Sequence, residues 1–477
     1  MPAATVSAPS PRLGWLIVAL TVIGLVRAAL LWSHEPLLAY ANSYDQTRYS
    51  ACFDIYPDRP ASVPPEQNSP QAPYSTFRFI GTGDPLCYWS SELAFGALAA
   101  GLWSAAQVLG GSDVHSVRVL GALKLAAMLL LSIALSRAWW RRGAAVAALA
   151  NAAVFALLLA DPGNTLYLNT FYAEWNSLLA AYALFGSLLL WHAEPPSRAR
   201  IGALALAALW LATSKIQHLV LPLALALALF GIDALRHRRI GWRALAVLGG
   251  AVVGLVFQVA QLQRDGALMD SIRQYNRADV VFTALLPLTE DKPAFLAAIG
   301  VDPACAVHSG KNAWMLPAMP ERACPGVLAF GYVDELRVLA GDPWMSLRLA
   351  GRAVQALSPW LAANIGHVEG RDLGRIPSSV PTLGTPLAAW PWLQLGVLAA
   401  PLVALAFARR RSARANDHAL LTVVAMAVTL AVTVLGDGLA DTAKQGHLAV
   451  NAALAWLIVT SIGLAVRSYR RARRLSA

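Results

Sequence analysis

Close to its C-terminal end the chain reads Gly436-Asp437-Gly438-Leu439-Ala440-Asp441-Thr442-Ala443-Lys444-Gln445-Gly446-His447, immediately before an apolar run. If this stretch is helical, Asp437, Asp441 and Lys444 follow at i, i+4 and i+7 and share one face. His447 stands three residues beyond Lys444. Ionisable groups beside lipid are expensive and usually face a cavity or a partner. Two carboxylates and a histidine suit a divalent metal, which makes Asp437 and Asp441 the metal candidates. The other reading is a structural cluster in which they neutralise Lys444.

Three other constellations carry chemistry. Asp45 lies in Asn42-Ser43-Tyr44-Asp45-Gln46-Thr47-Arg48-Tyr49. A carboxylate there serves as base toward an acceptor hydroxyl, or forms a loop ion pair with Arg48. Glu174 ends the polar, aromatic segment Asn164-Thr165-Leu166-Tyr167-Leu168-Asn169-Thr170-Phe171-Tyr172-Ala173-Glu174. Its amides and rings, Asn169 and Tyr172 among them, suit sugar hydroxyls and equally a membrane-interface belt. Lys215 and His218, three apart in a polar turn, would share a helical face and hold a phosphate. The alternative there is a snorkelling lysine and a core histidine.

The elements that must position these groups follow from composition. Of 477 residues 57% are hydrophobic and 14% charged, which excludes a disordered chain, a fibrous repeat and an ordinary soluble enzyme. The apolar runs predict an all-α polytopic membrane protein with about ten transmembrane helices. They fall near 13–34, 118–138, 143–161, 175–193, 200–215, 217–232, 243–262, 387–408, 419–436 and 447–466. The run 91–110 reads as a helix on the membrane surface. The first run is too long for a signal-peptide core and is read as an anchor.

This layout places 19 of the 38 Lys and Arg on one side with only three of the 27 Asp and Glu. The rest of the chain is net acidic. By the positive-inside rule both termini are then cytoplasmic. The net charge of +11 therefore reports sidedness and gives no support to a nucleic-acid partner. The partner it implies is the lipid bilayer. The short basic connections leave no room for a nucleotide-binding domain, and no phosphate-binding GxxxxGK[ST] loop occurs.

The four cysteines fall in two loops on the opposite side. Cys52 with Cys87 and Cys305 with Cys324 are expected to form disulfides in an oxidising periplasm. Residues 1–262 read as a seven-span module with an external loop over 35–117. Residues 263–386 read as an external loop or small domain, and 387–477 as a three-span module with a basic tail. A helix over 334–362 has Trp344 and Trp360 suited to an interface.

The strings NTFYAEWNSLL, TSKIQH, IRQYNRADVVFTALL and GDGLADTAKQGHLAVNA resemble a bacterial family of glycan-biosynthesis hexose transferases, polytopic proteins tied to surface polysaccharides. In that family the last motif runs GDG-x-x-D-x-x-KH; here Gln445 follows Lys444, and His447 stands two further on. The family is similar to the GT-C class of membrane glycosyltransferases. The resemblance implies transfer of a sugar from a polyprenyl-phosphate carrier to a glycan or lipid-linked acceptor outside the cytoplasm of a bacterial inner membrane.

It also implies Asp45 as the acidic residue of the first external loop that acts as base or positions the acceptor, with Asp54 and Asp58 as neighbours in competition. Tyr44, Arg48, Asn169, Tyr172 and Glu174 would bind sugar or acceptor. Arg78, Lys215, His218, Lys444 and His447 would bind the carrier phosphate, a leaving group that needs cations. Two other functions remain open: a transporter or flippase for lipid-linked glycans, and a non-catalytic subunit of a polysaccharide assembly complex.

Overall fold

In lipid every backbone amide must find its partner within the chain, which restricts membrane-crossing segments to helices and closed barrels. The computed structural model describes residues 11–40, 43–58, 75–81, 87–238, 241–264, 266–357, 380–407 and 413–475 (side chains of 43, 44, 237, 267, 474 and 475 excepted). Among these the protein is an all-α polytopic membrane protein. Helices occupy all ten expected positions, and seven are long and apolar enough to cross a membrane: Pro11–Trp32, Arg118–Arg141, Ala173–Leu190, Ile216–Arg236, Trp242–Arg264, Ala413–Asp437 and His447–Arg473. The other three are Ala145–Leu159, Arg198–Ala212 and Pro391–Ala406. At about 1.5 Å per residue they fall short of a roughly 30 Å hydrocarbon core.

The helix over the expected surface segment is Leu93–Val108. It buries Phe95, Ala99 and Trp103 and leaves Leu98 and Leu102 exposed on its other side. A small antiparallel sheet of Ile55–Pro57, Thr76–Phe79 and His115–Ser116 lies beside it, with Tyr56 opposite Arg78 and Phe77 opposite His115. Phe77 is fully buried and meets the rings of Trp103 and Phe171. The sheet thereby closes over the segment that leads to Glu174.

After Arg264 the chain builds a second core around Val280–Leu286, Cys305, Cys324, Phe330 and Leu349. Both expected disulfides are present, Cys52–Cys87 and Cys305–Cys324. The expected helix over 334–362 is instead two helices, Tyr332–Gly341 and Pro343–Ala356. Asp342 breaks it: its carboxylate caps the second helix by accepting from the Met345 amide at 2.9 Å, and Pro343 supplies the first-turn residue. Trp344 is exposed, and Trp360 lies outside the described residues.

The stretch from Asp437 to His447 is not one helix, so Asp437, Asp441 and Lys444 do not share a helical face. The helix stops at Asp437, Gly438 takes φ +61°, and a new short helix covers Thr442–Gln445. A Cβ on Gly438 would stand 2.3 Å from the Asp279 carbonyl oxygen, so the chain turns where only glycine fits. The far end of the bundle gathers a different set of charges: Arg142 and Arg200 on Glu194, with Arg236 and His192 on Asp417.

Candidate functional site

Asp45 sits in the short helix Ser43–Ser50 and is bound from three directions. Arg48, one turn on, meets Oδ1 at 2.9 Å. The Tyr172 hydroxyl donates to Oδ2 at 2.9 Å, and Lys444 Nζ reaches the same oxygen at 3.0 Å. Lys444 is shared with Asp441 at 2.8 Å and stands 5.5 Å from the centre of the Tyr172 ring.

The Arg48 guanidinium lies beside the Tyr49 and Tyr88 rings. The backbone amide of Tyr88 donates to the Arg48 carbonyl at 2.7 Å, one residue beyond the Cys52–Cys87 bridge. The disulfide thus ties the helix carrying Asp45 to the strand of chain that flanks its arginine.

Glu174 opens the Ala173–Leu190 helix, fully buried, and forms an ion pair with Lys215. Lys215 has an extended backbone and precedes a short 3-10 turn, so it and His218 are not on one α-helical face. His218 Nδ1 bonds the Ser214 hydroxyl at 2.8 Å, and His447 Nδ1 bonds the Lys444 carbonyl at 2.8 Å. Gln217 and Gln445 hydrogen-bond to each other and join the two polar turns. The position after Lys444 therefore serves the turn, while His447 supports the lysine's backbone.

The electrostatics follow from this packing. Burial alone would raise the Asp45 carboxyl, but Arg48, Lys444 and Lys215 outweigh it and hold the group well below the usual carboxylate range. Burial would lower the Lys444 ammonium, yet Asp441 and Asp45 keep it well above its ordinary value. Asp45 and Lys444 are thus an anion and a cation throughout the neutral range, in one cluster with Glu174 and Lys215.

The remaining candidates make other contacts, Asp437 within charge range of Asp441 and Lys444 and the others farther along the fold. Arg78 pairs with Asp58 on the small sheet at 2.9 Å. Asp54 is exposed at the end of a 3-10 turn. Asn169 donates to the Trp32 carbonyl at 3.0 Å, a packing contact between segments. Asp437 accepts from the Asn276 amide, turned to donate, at 3.2 Å. The side chain of Tyr44 lies outside the described residues. Among the described residues no group of three or more His, Cys, Asp or Glu side chains is placed to hold a metal ion. Asp441 pairs with Lys444 at 2.8 Å.

Two buried charges next to this cluster escaped the sequence reading. Glu92 and Lys124 pair at 2.5 Å, and Lys124 also reaches backbone carbonyls just ahead of Glu174. A lysine inside the apolar run RVLGALKLAAMLLL was the available signal.

Residues 74–323, more than half the chain, match the family described as the YfdI N-terminal transmembrane domain. The matched region holds Tyr172, Glu174 and Lys215, while Asp45 and Lys444 lie outside it. No curated protein matches the chain.

Proposed function

The chain belongs to the YfdI N-terminal transmembrane domain family, and on that footing we propose that it is a GT-C-like membrane glycosyltransferase. In this reading it moves a sugar from a polyprenyl-phosphate donor to a glycan or lipid-linked acceptor on the outer face of a bacterial inner membrane. One observation carries the reading. Asp45, Arg48, Tyr172, Glu174, Lys215, Asp441 and Lys444 come from four separate segments and form a single mixed-charge cluster at one end of a membrane bundle.

The chemistry needs a carboxylate near the attacking hydroxyl and cations near the departing phosphate. The acceptor oxygen forms a bond to the anomeric carbon while the bond from that carbon to the phosphate oxygen breaks. The hydroxyl proton passes to Asp45, and the phosphate oxygen keeps the electron pair beside Lys444 and Arg48. With both cations on it, Asp45 is a weak base. Lys444 turning toward the carrier phosphate removes one of them and strengthens Asp45 when substrate is present. Glu174, held by Lys215, accepts from sugar hydroxyls.

An apolar slot supports the lipid carrier. An open apolar cavity is lined by Leu158, Leu178, Phe185, Leu448, Ala452 and Val459, among others, and reaches Asn451. Asn451 Nδ2 donates to the carbonyl of His447, close to Lys444. An isoprenoid chain in the slot would present its phosphate to the cations. The basic far end of the bundle is the cytoplasmic side in this reading.

Purified protein in nanodiscs, given polyprenyl-phosphate-linked sugars and acceptor, tests the proposal. Transfer by wild type that is lost in Asp45→Asn supports it. No transfer by wild type, with lipid-linked glycan crossing proteoliposome membranes, would assign a transporter instead.

A further inference from the structure

Lys124 is fully buried within the apolar helix Arg118–Arg141, where an ammonium is costly, and the proposed chemistry gives it no task. Three groups surround its ammonium. They are the carbonyls of Thr170 at 2.7 Å and Tyr172 at 3.3 Å, and the Glu92 carboxylate at 2.5 Å. The carbonyls belong to a segment, 166–172, that is neither helix nor strand. Its Thr170 and Tyr172 carbonyls are met from outside the segment.

The helix is shaped to receive that segment. Gly121, one turn before Lys124 on the same face, has no side chain, and a Cβ there would stand 2.2 Å from Asn169 Oδ1 and 2.8 Å from the Trp32 ring. The glycine lets the segment approach, and the lysine then grips it. Replacing a buried ion pair by apolar groups is often neutral for stability, so packing alone gives weak grounds for this one. Its placement is more telling. One of the two carbonyls it holds is that of Tyr172, whose hydroxyl donates to Asp45, and Glu174 follows two residues later.

Glu92 extends the link. It begins the Leu93–Val108 helix, next to Ser91, whose hydroxyl accepts from Asn176 of the Glu174-bearing helix at 2.7 Å. Burial pushes the Glu92 carboxyl up to about 7 against the pull of Lys124.

We propose that Lys124, held by Glu92, is a positioning residue that fixes the backbone at Thr170–Tyr172 so that the Tyr172 hydroxyl meets Asp45 and Glu174 meets Lys215. The naming of these groups as a catalytic site rests on the glycosyltransferase reading; the positioning itself does not.

The test places 3-fluorotyrosine at position 172 of the full chain in nanodiscs and reads its fluorine resonance beside transfer kinetics. Asp45→Ala, which removes the acceptor, marks the shift that follows loss of the hydroxyl contact. Lys124→Met combined with Glu92→Gln removes both charges at once. It is expected to move the resonance in the same direction, while the melting temperature stays within a few degrees. In this double variant kcat is expected to fall about 10- to 100-fold with KM nearly unchanged. Adding Tyr172→Phe is expected to cost nothing more.

A resonance at the wild-type position in the double variant would overturn the proposal, as would losses that multiply with Tyr172→Phe. If the double variant does not fold, Glu92→Gln alone, which frees the ammonium from its counter-ion, must move the resonance the same way or the proposal fails. Absence of transfer in wild type would remove the glycosyltransferase reading and leave the resonance result to decide the positioning role.

Discussion

Lys444 Nζ stands 3.0 Å from Asp45 Oδ2, although 399 positions separate the two residues. The contact joins the first loop after the N-terminal helix to the turn between the last two long helices. It also sets the ionic state of both groups, since each is buried and each is the other's counter-charge. Neither Asp45 nor Lys444 is a lone candidate on a loop; they work as a pair with Arg48, Tyr172 and Asp441 around it.

Asp45→Asn keeps the shape of this pair and removes its anion. If Asp45 takes the acceptor proton, the transfer rate is expected to fall by about 10²- to 10⁴-fold. Lys444→Met is expected to act on the other half of the reaction, weakening binding of bare polyprenyl phosphate. Asp45→Asn, which leaves Lys444 and Arg48 with less competition, should tighten that binding. A titration of nanodisc-embedded variants with polyprenyl phosphate, followed by tryptophan fluorescence, checks the opposed directions.

The pH dependence follows from the same contacts. An unfolded aspartate titrates at about 3.9, and Asp45 in the fold titrates well below that. A depressed carboxylate contributes stability that is fully present above the unfolded value and lost as pH falls through the folded one. Between about pH 5 and 8 Asp45 therefore stays ionised. The melting-temperature difference between wild type and Asp45→Asn is expected to be flat across that window and to shrink only in stronger acid. Melting curves in detergent at stepped pH measure it.

The sequence made the architecture legible because burial in lipid forces one solution on every apolar run. It also made the cysteine pairs legible, because each pair shares a loop. What it exposed poorly was geometry set by single residues. Gly438 turns the chain between Asp437 and Asp441, so a helical spacing that holds on paper does not hold in the fold. Asp342 and Pro343 divide a helix that hydrophobic pattern alone would continue. Lys124 was visible as a charge in an apolar run, but its partners are carbonyls of a distant segment, and backbone acceptors leave no mark in a sequence. Arg78 looked as available for phosphate as Lys215, and only strand register shows it opposite Tyr56 and paired with Asp58.

The Cys52–Cys87 bridge closes a loop across 35 positions and holds Tyr88 against Arg48. Chain entropy alone gives such a bridge about 3–4 kcal/mol. The Cys52→Ala, Cys87→Ala double variant is expected to melt several degrees lower and to lose transfer activity at temperatures where the bundle is still folded. The corresponding variant at Cys305 and Cys324 should destabilise the second core with a smaller effect on transfer. Circular dichroism melts paired with activity below the transition separate the two bridges.

Gly438 offers the sharpest test of the turn that delivers Lys444 to Asp45. It adopts φ +61°, and an added Cβ would meet the Asp279 carbonyl carbon at 2.5 Å and the Thr283 hydroxyl at 2.5 Å. That hydroxyl already accepts from the Leu439 amide at 2.7 Å, so it has little room to retreat. A left-handed conformation costs a residue with a Cβ about 1–2 kcal/mol before any clash is counted. Gly436, two residues earlier, is a matched control: it is helical, and nothing lies within 4 Å of the Cβ it lacks. Gly436→Ala is expected to leave the melting temperature unchanged or raise it slightly. Gly438→Ala is expected to lower it by several degrees and to reduce transfer more than the stability loss explains, because Lys444 would no longer reach Asp45. Equal behaviour of the two variants in paired melting and transfer assays would mean that the turn does not set the position of Lys444.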